Sequence, residues 1–100
     1  MIVVVDNWRP LVRNTLRGFA TVQLPEGLVL HDVAVHIRDG KTWALPSGRP
    51  MIGRDGAVLK DAAGKAQYTP TLTFVGRGDQ EAFSAAIVDA VRASYPEAMR

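Results

Sequence analysis

The sequence contains no cysteine, which excludes disulfide bonds and any zinc site that depends on thiolate ligands. Long apolar runs are missing too, because no stretch approaches the roughly 18 residues of a membrane-spanning helix. The apolar start, residues 1–5, is too short and lacks the basic residues of a secretory signal peptide. These absences predict a soluble cytoplasmic protein without a membrane partner, and they leave the redox environment open.

The positive and negative charges of the chain nearly cancel, with a formal net charge of +2, but they are unevenly distributed. Residues 1–20 carry three arginines against one aspartate, and residues 41–65 carry five basic against two acidic side chains. Arginine outnumbers lysine nine to three, and the guanidinium group suits bidentate contacts to phosphate. The two basic segments predict one phosphate-binding patch if the fold brings them together. The alternative is that these side chains only solvate the surface.

Residues arranged for catalysis or metal binding are also missing. Ser47 lies in Pro-Ser-Gly rather than in the G-x-S-x-G turn of a hydrolase nucleophile, and no acidic pair has the spacing for acid–base work. His31 and His36 differ in parity within one predicted strand, so their side chains should point to opposite faces and cannot share an ion. The sequence therefore predicts a non-enzyme with no metal, cofactor or small-molecule substrate, a packed His31 and a solvated His36.

Hydrophobic alternation with a period of two predicts that much of the chain forms antiparallel strands. The alternation is clearest from Leu16 to Leu24, where the even-numbered positions are small or apolar. In the following strand the odd-numbered positions, including His31, are predicted to face the core. Pro25-Glu26-Gly27 and Asp39-Gly40 are turn signals between strands. The predicted strands are Met1–Val5, Leu16–Leu24, Leu28–Ile37, Lys41–Leu45 and Tyr68–Val75.

Two segments lack this alternation. Residues 6–15 contain Asn7, Pro10 and Asn14, which favour turns, and they are predicted to form a connection. Residues 46–67 hold three turn signals within about twenty residues, and a stretch this long is often functional or mobile. We therefore expect a mobile loop or a small hairpin arm at 46–67.

A single segment, residues 79–95, shows the periodicity of a helix. Asp79 is the predicted N-cap and Pro96 the predicted stop. The apolar stripe comprises Phe83, Ala86, Ile87, Ala90, Val91 and Tyr95. Because a helix must bury its apolar stripe, we expect it to pack on the sheet. The predicted fold is one α+β domain over residues 1–100, a four- or five-stranded antiparallel β-sheet with one C-terminal α-helix packed on it.

Aromatic residues lie near arginines, which suggests a binding surface. Trp8, Phe19, Trp43 and Tyr68 are the candidates. Single-stranded nucleic acid is bound by aromatic platforms beside cationic side chains. The alternative is that Trp43 and Phe19 are ordinary core residues. The choice depends on which face of the sheet the helix covers.

Several short sequence elements, in order, resemble the SpoVG family of bacterial septation and sporulation regulators. These elements are Ala20-Thr21-Val22 to Leu24, Leu28-Val29-Leu30-His31-Asp32-Val33, Asp39-Gly40-Lys41 and Leu45-Pro46-Ser47. The closing Ala82-Phe83 to Ala90-Val91 segment is similar to that family's C-terminal helix. The segment from Trp8 to Phe19 is similar to the start of short uncharacterised phage and prophage proteins.

This resemblance implies a small antiparallel sheet with a C-terminal helix, forming a regulatory homodimer that binds DNA or RNA and is not an enzyme. In that family, basic residues after Pro-Ser and at the helix start are candidates for phosphate contact. Here Gly78-Asp79-Gln80-Glu81 is acidic, which leaves Arg77 alone at the helix start and shifts the prediction to other segments. The candidate nucleic-acid-binding residues are Arg9, Arg13, Arg17, Lys41, Trp43, Arg49, Arg54, Lys60, Lys65 and Arg77.

The alternative hypothesis is a protein-interaction module that pairs with a partner chain or a second copy through a sheet edge or the 46–67 segment. The acidic helix start, which repels phosphate, motivates it. On this hypothesis, replacing Arg49 and Arg54 by alanine leaves the main activity intact, whereas a proline within an exposed strand abolishes it.

Overall fold

Four strands pair in chain order into one antiparallel sheet, and a long helix covers one of its faces. The computed structural model describes residues 2–99. Its elements are β1 Val4–Arg13, β2 Leu16–Gln23, β3 Val29–Arg38, β4 Lys41–Leu45, β5 Gly48–Pro50, β6 Tyr68–Pro70, α1 Arg77–Ser94 and a 3-10 turn Pro96–Met99. The predicted α+β architecture is confirmed, with four strands in the main sheet. Within residues 2–99, no helix is long and apolar enough to cross a membrane.

The core lies between α1 and one face of the sheet. The fully buried strand residues are Ala20, Val22, Val33, Val35 and Ala44. They meet the buried helix residues Phe83, Ile87, Val88 and Val91. The predicted face of β2 formed by even-numbered positions is buried at Gly18, Ala20 and Val22, whereas a register shift between Leu16 and Gly18 places Leu16 opposite His36, on the other face. Trp43 points away from Thr42 and Ala44 on β4, as predicted. Small and β-branched residues on the sheet let the helix approach closely.

The connection predicted over residues 6–15 is wrong, because β1 extends to Arg13. The predicted Met1–Val5 strand therefore begins at Val4, and Met1 lies outside the described residues. β1 is the edge of the sheet, where a proline such as Pro10 is tolerated because its missing N–H can face away from the neighbouring strand. Two register shifts, between Val5 and Asn7 and between Pro10 and Arg13, absorb the irregular residues.

A β-bulge in β3 overturns the predicted position of His31. Val33 lies opposite Ala20, but Leu30 rather than His31 lies opposite Val22, and Asp32 has a positive φ of 55°. The extra residue inverts the alternation of the strand upstream of the bulge. His31 is therefore exposed, so the predicted packed His31 was wrong. His36 lies beyond the bulge on the face away from the core, as the alternation predicts, but its stack with Trp43 leaves it partly buried rather than fully solvated.

The helix begins two residues earlier than predicted, at Arg77, with Gly76 as its N-cap. Asp79 is the third helical residue, and its carboxylate accepts a hydrogen bond from the Gly76 N–H at 3.1 Å. A carboxylate here satisfies one of the free donors and complements the helix dipole. The predicted stripe is confirmed at its buried positions, with Val88 in addition, while Tyr95 lies after the helix and is 38% exposed.

Residues 48–70 form a separate element, here called the arm. β5 and β6 pair with each other and not with the main sheet, so the predicted strand Tyr68–Val75 ends at Pro70 and does not extend the sheet. Beyond it, three backbone hydrogen bonds close a ring in which Met51 donates to Gln67, Gln67 to Leu59 and Leu59 to Met51. The predicted small hairpin is confirmed by the antiparallel bridge between Ile52 and Val58.

Candidate nucleic-acid interface

The sheet face opposite α1 is here called the open face, and its side chains lie in rows across the strands. Residues directly opposite each other in antiparallel strands point to the same side. One row comprises Arg9, Phe19, Ala34 and Leu45, and the next comprises Arg13, Leu16, His36 and Trp43. Arg38 and Lys41 form a third row at the β3–β4 turn. The register therefore gathers basic and aromatic residues that are distant in sequence.

Trp43 and His36 form an aromatic stack on the open face. Their ring centroids are 5.2 Å apart and their planes differ by 4°. His36 is fixed further by a hydrogen bond of 3.0 Å between its Nδ1 atom and the Thr15 hydroxyl. Burial, and secondarily the positive charge of Arg17, hold the pKa of His36 below its usual value. Trp43 is thus supported on the open face by the neutral His36 ring. It is not a core residue, which was the alternative interpretation.

Arg9 and Phe19 form a second pair of contacting side chains on the same face. The guanidinium carbon of Arg9 lies 5.2 Å from the centroid of the Phe19 ring, a cation–π geometry. Asp32, at the bulge, lies 3.3 Å from the Arg9 guanidinium and holds it there. Both charged side chains remain more than half exposed, so the ion pair contributes little to stability. Arg9 remains accessible to a ligand.

Basic side chains concentrate at one end of the open face. Arg13 lies in the row of Trp43, and Arg38 and Lys41 lie one row further on. Among the described residues, Arg38 has Asp39 at 3.9 Å, while Arg13 and Lys41 have no carboxylate within 4.0 Å. The charges of Arg13 and Lys41 are therefore not neutralised by close ion pairs. Arg38 and Lys41 lie one row from the aromatic stack, and Arg13 lies in its row on the far strand β1.

The other predicted site residues lie elsewhere. The Arg17 guanidinium donates to the backbone carbonyls of Asn14 and Leu16 and thereby closes the β1–β2 turn. Arg77 pairs with Glu81 on the helix at 3.2 Å. The remaining four, Arg49, Arg54, Lys60 and Lys65, are exposed on the arm. The predicted residues that the sheet brings together are Arg9, Arg13, Lys41 and Trp43.

Two residues of this face, Arg38 and His36, were not among the predicted site residues, and both had a readable signal. A two-residue hairpin loop pairs the residues that flank it, so Asp39-Gly40, both with positive φ, places Arg38 directly opposite Lys41. The same register, two residues further along each strand, places His36 opposite Trp43. Trp8, the other tryptophan, lies on the helix side, where its ring centroid is 6.3 Å from that of Tyr95.

The fold and this face together define a small α+β protein with a helix on one side of its sheet and a basic, aromatic surface on the other. Among residues 2–99, no group of three His, Asp or Glu side chains could hold a metal ion. Comparison with protein-family models, curated proteins and solved structures finds no match to this chain. The SpoVG resemblance therefore stays a prediction that rests on the sequence elements alone.

Proposed function

We propose that this chain is a small cytoplasmic, non-enzymatic regulatory protein that binds DNA or RNA as a homodimer. One observation supports the nucleic-acid part above the others: the strand register places Arg38, Lys41 and, across the sheet, Arg13 on the same uncovered face as Trp43. Exposed cations supply the salt-dependent attraction to phosphates, and aromatic rings supply contacts to bases.

The charge on the open face supports an anionic partner such as a phosphate backbone. Guanidinium groups bind phosphate oxygens in a bidentate manner, and an exposed lysine adds a point charge. Asp32 and Asp39 are the acidic side chains in close ion pairs beside this surface, and they are held by Arg9 and Arg38. A strand of phosphates therefore meets Arg13 and Lys41 without first breaking an ion pair.

The arm adds a second basic surface. Its positive side chains are Arg49, Arg54, Lys60 and Lys65, all exposed. Asp55 and Asp61 accept backbone hydrogen bonds within their own turns, so these two carboxylates are committed to shaping the arm. A nucleic acid longer than the sheet face can contact both surfaces.

Fluorescence anisotropy with labelled 20-nucleotide single strands and 20-base-pair duplexes tests the proposal at several salt concentrations. The wild type is expected to bind with an affinity that falls as salt rises. The double variant Arg13→Ala, Lys41→Ala removes two phosphate contacts and should reduce the slope of log K against log salt by about 1.4 for a single strand. The charge-matched control is Arg77→Ala, Arg92→Ala, both on α1, which should change the slope much less.

Two results would contradict the proposal. Absence of binding to every probe at low salt removes the nucleic-acid function. Equal losses in the two double variants would mean that net charge alone drives binding, and the open face would then not be the site. Circular dichroism on each variant separates a loss of fold from a loss of contact.

A second candidate function is a protein-interaction module, and the surface of the arm favours it. Five apolar side chains of the arm are exposed, among them Ile52 at 56% and Tyr68 at 60%. Contiguous exposed apolar surface often marks a contact with another protein. On this hypothesis, the double variant Arg49→Ala, Arg54→Ala keeps the main activity, whereas the nucleic-acid proposal expects weaker, less salt-sensitive binding.

The arm is also the element best suited to hold the homodimer together. Both edges of the main sheet are protected, since Ser84 Oγ accepts the outward Ala44 N–H of β4 at 2.8 Å and Pro10 interrupts β1. Sedimentation velocity should show a dimer that Ile52→Ser, Leu59→Ser dissociates. The matched control Leu28→Ser, 58% exposed outside the arm, should leave it intact. A monomeric wild type at all concentrations would contradict this.

A further inference from the structure

We infer that the open face selects single-stranded nucleic acid by stacking a base on the free side of Trp43. The inference rests on the proposed function and deepens it, since it specifies the strandedness of the nucleic acid and the residue that reads it. The shared chemistry is an unpaired nucleobase beside its phosphates, in DNA or in RNA.

The geometry of the Trp43–His36 pair directs one ring face of Trp43 toward the edge of the sheet. The two residues lie opposite each other on neighbouring strands, and their centroid separation of 5.2 Å is close to the spacing of about 4.8 Å between strands. The rings therefore stand side by side on the sheet, with their planes along the strands. His36 covers the inner side of Trp43, and the outer side faces past β4, the last strand of the sheet.

A base is well suited to occupy that outer side. Its flat π surface continues the two-ring stack, and stacking of this kind accepts any base. In a duplex, both sides of each base are covered by its neighbours, whereas a single strand can splay a base out onto an aromatic ring. Trp43 therefore distinguishes the two forms by the availability of a base face.

The charged side chains nearest Trp43 lie where they can contact the phosphates of the stacked nucleotide. Lys41 points to the same side two residues earlier on β4, about 7 Å away by the strand rise. Arg38 lies opposite Lys41. The Arg9 guanidinium, 5.2 Å from the centroid of the Phe19 ring and one row away, offers a second planar surface for a base. Aromatic and cationic contacts thus alternate across the face.

His36 keeps this platform in place. Its ring is tied to Thr15 through a 3.0 Å hydrogen bond, and burial lowers its pKa, so it supports Trp43 as a neutral ring. Trp43 is partly buried and needs little reordering when a base arrives. A platform that is fixed before binding costs less conformational entropy on association.

The variant Trp43→Leu tests the inference with labelled dT12, rU12 and a 12-base-pair duplex as probes. We expect the affinity for both single strands to fall roughly 5- to 150-fold, the range for loss of one stacked base, and the duplex affinity to change less than twofold. Trp43→Phe keeps an aromatic face and should restore most of the affinity. The ratio between dT12 and rU12 assigns the source of the base to DNA or RNA.

Tryptophan emission provides an independent readout. Saturation with dT12 or rU12 should quench the wild type and Trp8→Phe, because Trp8 lies on the helix side, and should leave Trp43→Leu unquenched. If Trp43→Leu binds single strands as well as the wild type does, or loses duplex affinity equally, the inference is overturned while the proposed function stands. If no probe binds the wild type, the proposed function fails, and the inference with it.

Discussion

The two faces of the main sheet are made by the same four strands and differ in almost every other respect. The helix side carries small aliphatic residues that are fully buried, such as Ala20, Val22 and Val35. The open face carries Arg9, Phe19, His36 and Trp43, none of which is fully buried. Because side chains alternate between the two faces along each strand, one residue packs in the core and stabilises the fold, and the next is available to a ligand.

This difference implies that stability and binding can be changed separately. Burial of an aliphatic side chain contributes about 1.5–3 kcal/mol, whereas exposed ion pairs contribute little. Substitutions on the helix side should therefore lower the free energy of unfolding, and those on the open face should change affinity.

The largest effect is expected from Ile87→Ala. Ile87 is fully buried on α1, and its truncation leaves a cavity against the sheet that should lower the free energy of unfolding by about 2–5 kcal/mol. Urea unfolding followed by circular dichroism measures the loss. Affinity for nucleic acid, measured on the folded fraction, should stay unchanged. A variant that kept its stability but lost binding would show that the two faces are not separable.

Gly18→Ala should have the next largest effect. A Cβ atom at Gly18 would lie 2.6 Å from the Arg9 carbonyl oxygen and 2.6 Å from the Trp8 ring. Since the backbone oxygen cannot move aside, we expect a loss of about 1–3 kcal/mol from overpacking. The control is Gly78→Ala, which meets no atom within 4 Å and lies in the helix, where alanine should stabilise by up to about 1 kcal/mol. Thermal unfolding of both variants should shift in opposite directions.

Part of the difference between the two faces could be predicted from the sequence. The alternation from Gly18 to Val22 predicted one side of β2 correctly, although it failed at Leu16, and Asp39-Gly40 predicted the β3–β4 turn. The helix stripe at Phe83, Ile87 and Val91 is also confirmed. These signals are local, because each needs only a few consecutive residues to express a period or a turn conformation.

The remainder depends on neighbouring strands. Asn7 and Pro10 favour turns locally, yet they lie in an edge strand whose register shifts accommodate them. The bulge at Asp32 forms between β2 and β3, so no pattern within β3 reveals it, and the prediction for His31 failed there. The placement of Arg13 in the row of His36 and Trp43 follows from register shifts in β1 and β2, which sequence alone could not supply.

Asp32→Asn tests whether a substitution on the open face changes affinity without changing stability. Asparagine tolerates the positive φ of 55° at this position, and the exposed ion pair with Arg9 is weak, so stability should change by less than about 0.5 kcal/mol. Removing the negative charge should raise affinity for a single strand about twofold at low salt. Anisotropy titrations measure this, with Asp89→Asn on α1 as the control. A lower affinity would mean that Asp32 positions Arg9 for the ligand.

The smallest expected effect is a pH dependence of the free energy of unfolding, which arises from His36 on the open face. Burial and, secondarily, Arg17 lower the pKa of His36 from 6.5. Above about pH 6.5 this histidine is neutral in both states, and its contribution to stability is fully present. As the pH falls, the unfolded chain takes up the proton first, so the free energy of unfolding declines until the pH passes below the lowered folded pKa.

Urea unfolding of the wild type and of His36→Gln between pH 7.5 and 4.5 isolates this contribution, because the carboxylates titrate in both proteins and cancel in the difference. The glutamine amide can still reach Thr15 and lie flat against Trp43, so the two proteins should differ in slope and little in stability at high pH. Arg17→Gln removes one of the two causes and should give an intermediate slope. Identical slopes in all three proteins would mean that the His36 ring is solvated, and the stacked support that this face offers to Trp43 would then be absent in solution.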